Sequence, residues 1–153
     1  MGKINCSTLY DEISTFRSLP GCIDTLSVES FKSVYNSDKA ATEKNILYIY
    51  LTEKPIPRLV GESNIAYIGQ TKRSFKGRRS GDAVLHATSK ANSLKYGALI
   101  EKYGPIRVVV SDYSKYGASI EEAEGQLLWW YFQNHCEYPP INYTQTKVRN
   151  DVL

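Results

Sequence analysis

The sequence predicts an α/β (α+β) fold: a small three-stranded, mostly antiparallel sheet flanked by helices, preceded by a helical N-terminal arm. Three observations carry that prediction. Residues 46–51 (ILYIYL) and 65–73 (IAYIGQTKR) are β-branched and aromatic runs, the composition that suits a pleated, half-buried surface. Residues 106–110 (IRVVV) are a third such run. The segments around them carry apolar residues at helical spacing, which places helices against the sheet.

Residues 1–45 form the arm. Ser7 is placed to cap a short helix whose Leu9, Ile13 and Phe16 fall at i, i+4 and i+7, and Pro20-Gly21 ends it. A second short helix runs from about Glu29 to Tyr35 with Val28, Phe31 and Tyr35 as its apolar side, and the polar stretch Asn36 to Lys44 reads as loop. The arm packs either on the main unit, residues 46–153, or on a second subunit; in the first case the chain is one compact domain.

The first two strands form a hairpin. Between them Pro55, Pro57 and Gly61 predict a long loop over Glu53 to Ser63. The second strand stops near Gly69 and runs into Lys72, Arg73, Lys76, Arg78 and Arg79, a basic turn beside a tyrosine strand that suits a phosphate-facing surface. Ser80 or Asp82 can cap a helix through residues 83–87. Asn92-Ser93 opens a clearer helix with Tyr96, Leu99, Ile100 and Tyr103 on one side, stopped by Gly104-Pro105. After the third strand and a loop over Ser111 to Gly117, a long helix runs from about Ser119 to His135, bounded by Pro139-Pro140.

Composition narrows the function classes. The 153 residues are 42% hydrophobic and 23% charged with a net charge of +3, ordinary values for one globular domain, so a nucleic-acid reading depends on where the cations sit. Twelve tyrosines against four phenylalanines mean many apolar rings with a polar tip. Three cysteines without paired spacing give no disulfide framework or zinc site. No apolar run approaches a membrane span and the N-terminus has no signal pattern, so the expectation is a soluble cytoplasmic protein with no membrane partner.

Glu124 is the most telling residue. Ile120, Ala123, Leu127, Leu128 and Tyr131 form one stripe of the last helix, and at 100° per residue Glu124 points into it, whereas Glu121 and Glu122 point away. A carboxylate on an inward face is costly unless it is paired with a cation or holds a metal. Arg78 offers a planar fork that matches a phosphate. Tyr48 and Tyr67 lie on the two hairpin strands and can share a face; phenols serve as bases only with cations close by. His86 and Asn142 complete the candidates, with packed-histidine and turn-residue readings beside the functional ones. HExxH, P-loop and G-x-S-x-G motifs are absent, as is a cluster of acidic ligands.

Tyr48, Tyr67-Ile68-Gly69, Arg78, Glu124 and Asn142, in this order and on these elements, resemble the GIY-YIG nuclease superfamily over residues 46–146, roughly two thirds of the chain. The stretch YIGQTKRSFKGR is similar to the family's second motif and its following arginine, and Pro139-Pro140-Ile141-Asn142 to its closing asparagine motif. The resemblance implies metal-dependent hydrolysis of DNA phosphodiester bonds with one Mg²⁺ (or Mn²⁺) per active site. Tyr48 would be the general base, Tyr67 would assist it, Arg78 would bind the scissile phosphate, Glu124 would hold the metal, and Gly69 and Asn142 would be structural. Lys72, Arg73, Lys76 and Arg79 would contact DNA. A compact chain of this kind suits a restriction-type or phage-type endonuclease, working as a dimer or larger homo-oligomer where both strands are cut. The alternative is a non-catalytic nucleic-acid-binding module on the same scaffold.

The sequence also departs from the family's pattern. The first motif lacks its glycine, so its tyrosine is Tyr48 or, two residues on, Tyr50. The 19-residue step to Tyr67 contains an insertion. Asp82 stands where a histidine often follows the arginine by one turn, leaving His86 either displaced or without a catalytic part. Gln70 stands where several members keep a lysine beside the base, which Lys72 would have to replace.

Overall fold

Residues 46–52 (ILYIYLT) are apolar or β-branched without interruption, and in the computed structural model, which describes residues 4–142 apart from Ser80, every one of them is buried. A strand covered on both faces has no solvent side on which to alternate, so it reads as a continuous apolar run. That strand, β2 (Ile46–Pro57), lies in the middle of a four-stranded antiparallel sheet of order β1-β4-β2-β3, with β1 Arg17–Ser18, β3 Glu62–Thr71 and β4 Ile106–Asp112.

The predicted class holds, and the strand count is corrected from three to four. The extra strand is the two-residue β1, where Arg17 and Ser18 pair with Val110 and Val109. Both residues are exposed and polar, so no apolar pattern marks them.

Seven α-helices accompany the sheet among the described residues: α1 Leu9–Ile13, α2 Val28–Tyr35, α3 Asp38–Thr42, α4 Phe75–Arg79, α5 Asp82–Thr88, α6 Lys90–Tyr103 and α7 Ile120–His135. On one face Tyr48, Tyr50, Val108 and Val110 pack with Phe31, Val34 and Tyr35 of α2, Phe75 of α4, Ala83 and Ala87 of α5, and Tyr96 and Leu99 of α6. On the other, Leu47, Ile49, Ile68 and Val109 meet Leu9 and Ile13 of α1 and Ile120, Ala123, Leu127 and Tyr131 of α7.

Three local expectations change. The polar stretch after α2 contains α3, because Ser37 accepts from the Ala40 amide and caps a short helix there. Helix α6 begins two residues before Asn92. The loop predicted over Glu53 to Ser63 is instead strand on both sides of a tight turn, closed by the Arg58 amide donating to the Gly61 carbonyl at 2.9 Å. Pro55 is tolerated because the pairing with β4 stops at Thr52 and the β2–β3 register is interrupted between Leu51 and Ile56, and Pro57 because it is the last paired residue of β2, opposite Glu62.

The arm packs on its own chain and contributes to both cores: Leu9, Ile13 and Phe16 to one, Leu19, Ile23, Phe31, Val34 and Tyr35 to the other. Arg17 ties it down further, pairing with Glu43 at 3.0 Å and Asp112 at 3.2 Å. Both cores therefore extend across the boundary at residue 45. Deleting residues 1–45 should leave a chain without a cooperative unfolding transition. Phe31→Ala, at a site with no exposure, should cost about 3–5 kcal/mol by urea denaturation.

Candidate active site at the hairpin edge

The sheet register builds the site. Gly69 lies opposite Tyr48, and Tyr67 lies opposite Tyr50, so all four share one face. The rings of Tyr48 and Tyr67 stack with centroids 5.9 Å apart and planes 25° apart. They do so across Gly69: a Cβ there would stand 2.6 Å from Tyr48 Cζ and 2.6 Å from Tyr67 Cε1. Close approach of two rings over backbone is the reason for glycine at this position. Tyr48 is 1% exposed and Tyr67 is half-buried. Burial pushes the Tyr48 phenol up from its ordinary value, opposed by Arg79.

The basic turn divides. Lys72, Arg73 and Lys76 are exposed and Arg78 is half-buried. Arg79, predicted among the outward DNA-contacting cations, is corrected: it is 5% exposed. Helix α4 is the cause, since Phe75 and Arg79 stand at i and i+4 on its inward side while Arg78 lies 100° round. The Arg79 guanidinium donates to the Tyr48 hydroxyl at 3.1 Å and to the Asp82 carboxylate at 3.1 Å. Its carbon lies 5.3 to 6.0 Å from the ring centres of Tyr48, Tyr67, Tyr50 and Tyr35. Arg78 is 3.8 Å from Asp82.

Glu124 sits at the margin of the α7 stripe, not in its middle. Helix α7 lies against β3, the edge strand, and Glu124 is half-buried. Among the described residues its carboxylate makes no hydrogen bond or ion pair. Burial and the neighbouring Glu121 push its proton affinity up, and Arg78 opposes them. Glu121, one turn earlier, is paired with Lys72 at 3.1 Å in the open, a contact of small energetic weight. No group of three or more His, Cys, Asp or Glu side chains stands ready for a metal among the described residues. Glu124 alone fits a hard divalent ion that keeps most of its shell as water and substrate oxygen: it is an unpartnered, partly desolvated carboxylate.

Asn142 clamps the site from outside. Its side-chain oxygen accepts from the Ile68 amide and its nitrogen donates to the Ile68 carbonyl, both at 2.9 Å, while the Ile141 amide donates to Ala66. The side chain thus acts as a short strand along the free edge of β3. His86 does not join the group. It is 7% exposed, with Nδ1 2.8 Å from the Tyr35 hydroxyl, which in turn accepts from Tyr50.

Sequence reasoning missed two members, Tyr35 and Asp82. The signals were the apolar side of α2 and the i, i+3 spacing from Arg79 to Asp82.

Comparison with family models, curated proteins and solved structures finds no match. The likeness to GIY-YIG nucleases therefore rests on the residues alone.

Gly69→Ala should destabilise the protein by about 1–3 kcal/mol in urea denaturation, because the added Cβ would meet both rings at 2.6 Å and the buried Tyr48 ring has no room to move aside. His86 gives a pH signature. Burial first, then Arg79, pushes its pKa down to about 4. The unfolded chain therefore binds the proton more readily, and the stabilising contribution is complete above about pH 6.5 and lost as pH falls towards 4. Wild type should lose more stability between pH 7 and 4.5 than His86→Gln does.

Proposed function

We propose that this chain is a metal-dependent endonuclease that hydrolyses DNA phosphodiester bonds in the manner of the GIY-YIG nucleases, most simply a site-specific enzyme of restriction or phage type. The observation that carries the reading is Glu124: a half-buried carboxylate without a partner among the described residues, under the influence of Arg78, on the helix packed against a strand that runs into exposed cations. A protein that only binds phosphate gains nothing from a desolvated carboxylate there, because it repels the ligand.

In this reading Lys72, Arg73 and Lys76 hold the DNA backbone and Arg78 presents its fork to the scissile phosphate, stabilising the charge that grows on its oxygens. Glu124 would hold one Mg²⁺ or Mn²⁺, which when bound neutralises charge on the phosphate and assists the leaving oxygen. Water attacks phosphorus, its proton passes to a phenolate of the tyrosine pair, the bond to the leaving oxygen breaks, and that oxygen takes a proton from solvent. Both tyrosines bear on that step: Tyr67 is partly open to solvent and the buried Tyr48 ring stacks against it. Cutting both strands would call for two such sites, hence a homo-oligomer.

One observation favours the second reading, a nucleic-acid-binding module without catalysis. Tyr48 is 1% exposed and its phenol is harder to ionise than in water, so in this conformation it takes no proton from solvent.

Supercoiled plasmid incubated with purified protein decides between them. The nuclease reading expects nicking or discrete fragments with Mg²⁺, none with EDTA, and none from Glu124→Ala. Arg78→Ala should lower the rate by about 100-fold or more. A gel shift without cleavage at any salt or metal concentration leaves the binding module.

A further inference from the structure

Arg79 is the fully buried cation among the described residues, and its position is expensive. Removing a guanidinium from water costs several kcal/mol, which attraction to one carboxylate offsets only in part. The compensation here is incomplete: Nε is buried and makes no hydrogen bond. A side chain needed only to fill the space between α4 and the sheet would be apolar, since methionine has similar reach and no desolvation cost. What the charge does at this point is visible in its contacts. One end of the fork is anchored on Asp82, the other donates to the Tyr48 hydroxyl, and the plane is enclosed by four tyrosine rings.

We propose that Arg79 is a positioning residue of the active site, fixing the Tyr48 hydroxyl from behind, in a cage that the N-terminal arm completes with Tyr35. The assignment rests on the nuclease reading. It separates two adjacent arginines by task, with Arg78 facing the phosphate and Arg79 facing the phenol. Because Arg79 occupies a lone pair of the Tyr48 oxygen, the hydroxyl is held in one place. A fixed cation beside it favours the form that has given up its proton. Among the described residues Arg79 is the cation that hydrogen-bonds that hydroxyl; Lys72 is engaged with Glu121 instead. The arm enters the cage through α2, where Tyr35 lies 6.0 Å from the guanidinium carbon and accepts from the Tyr50 hydroxyl at 2.9 Å.

The test uses the full chain with Arg79→Met and Arg79→Lys, a binding assay on duplex DNA in EDTA, single-turnover cleavage of plasmid in Mg²⁺, and NMR of protein labelled at tyrosine Cζ. Folded Arg79→Met should bind DNA within about threefold of wild type yet cleave about 100-fold more slowly, the scale of a disabled proton-transfer group, with Arg79→Lys between the two. The Tyr48 Cζ resonance should move in both variants. A folded Arg79→Met that cuts at the wild-type rate would show a core filler and overturn the proposal. So would a loss confined to affinity, which would make Arg79 a phosphate contact. Should Arg79→Met not fold, Arg79→Lys decides by the same rate, affinity and resonance. If wild type itself never cuts, the nuclease reading fails; the Tyr48 resonance then still answers whether Arg79 holds the phenol, and an unmoved resonance overturns that too.

Discussion

A guanidinium enclosed by phenols is the interaction on which the rest of this structure depends. Its cage draws Tyr48 and Tyr50 from β2, Tyr67 from β3 and Tyr35 from α2, so three separate stretches of chain must meet at one point. Phenylalanine would pack as well but could neither accept the guanidinium's N–H groups nor extend the polar chain from Tyr50 through Tyr35 to His86. Four of the chain's twelve tyrosines are used in this way. The same chain accounts for His86, which is kept neutral by its surroundings and serves as a core partner for Tyr35.

The cage also explains why the arm is inseparable from the strands. Tyr35 is fixed by its own helix, and that helix is fixed by Phe31 and Val34 in the same core. β1 then closes the outer side of β4. The far face has its own polar lock, with Tyr10 of α1 donating to Ser63 of β3 at 2.6 Å. Each layer of the sandwich is thus closed by residues that come from the first third of the chain.

Much of the fold was legible because it depends on patterns that tertiary context cannot reverse. The runs in β2, β3 and β4 are too apolar to be loops, and the stripe on α7 has one period only. What escaped detection depends on pairing. β1 is two exposed residues whose strand character exists only through Val109 and Val110, and the proline-bearing half of β2 is a strand only because β3 folds back along it. At the site, the shared face of Tyr48 and Tyr67 followed from strand alternation, whereas Gly69 and Asn142 stood out only through the family resemblance. The split between Arg78 and Arg79 did not follow from charge counting. It needed Phe75 to be recognised as the inward residue of a one-turn helix, which sets Arg79 inward by the same rotation.

The site sits where it does because β3 is an edge strand. An edge leaves backbone groups unpaired, and this chain covers part of that edge with the side chain of Asn142 and the peptide of Ile141 instead of another strand. A fifth strand would bury both faces of β3 and its flank. The short cover leaves Tyr67 reachable and lets α7 bring Glu124 to the rim half-buried. The two phenols and the carboxylate thus reach one edge from different layers of the sandwich. Tyr67 approaches from the tyrosine face, with Arg79 behind it, and Glu124 from the opposite face, with Arg78 near it. Opposed layers are how one edge can hold a cation behind the phenols and, at the rim, a carboxylate unpaired among the described residues without the two neutralising each other. Asp82 reinforces the separation by taking one end of Arg79 for itself.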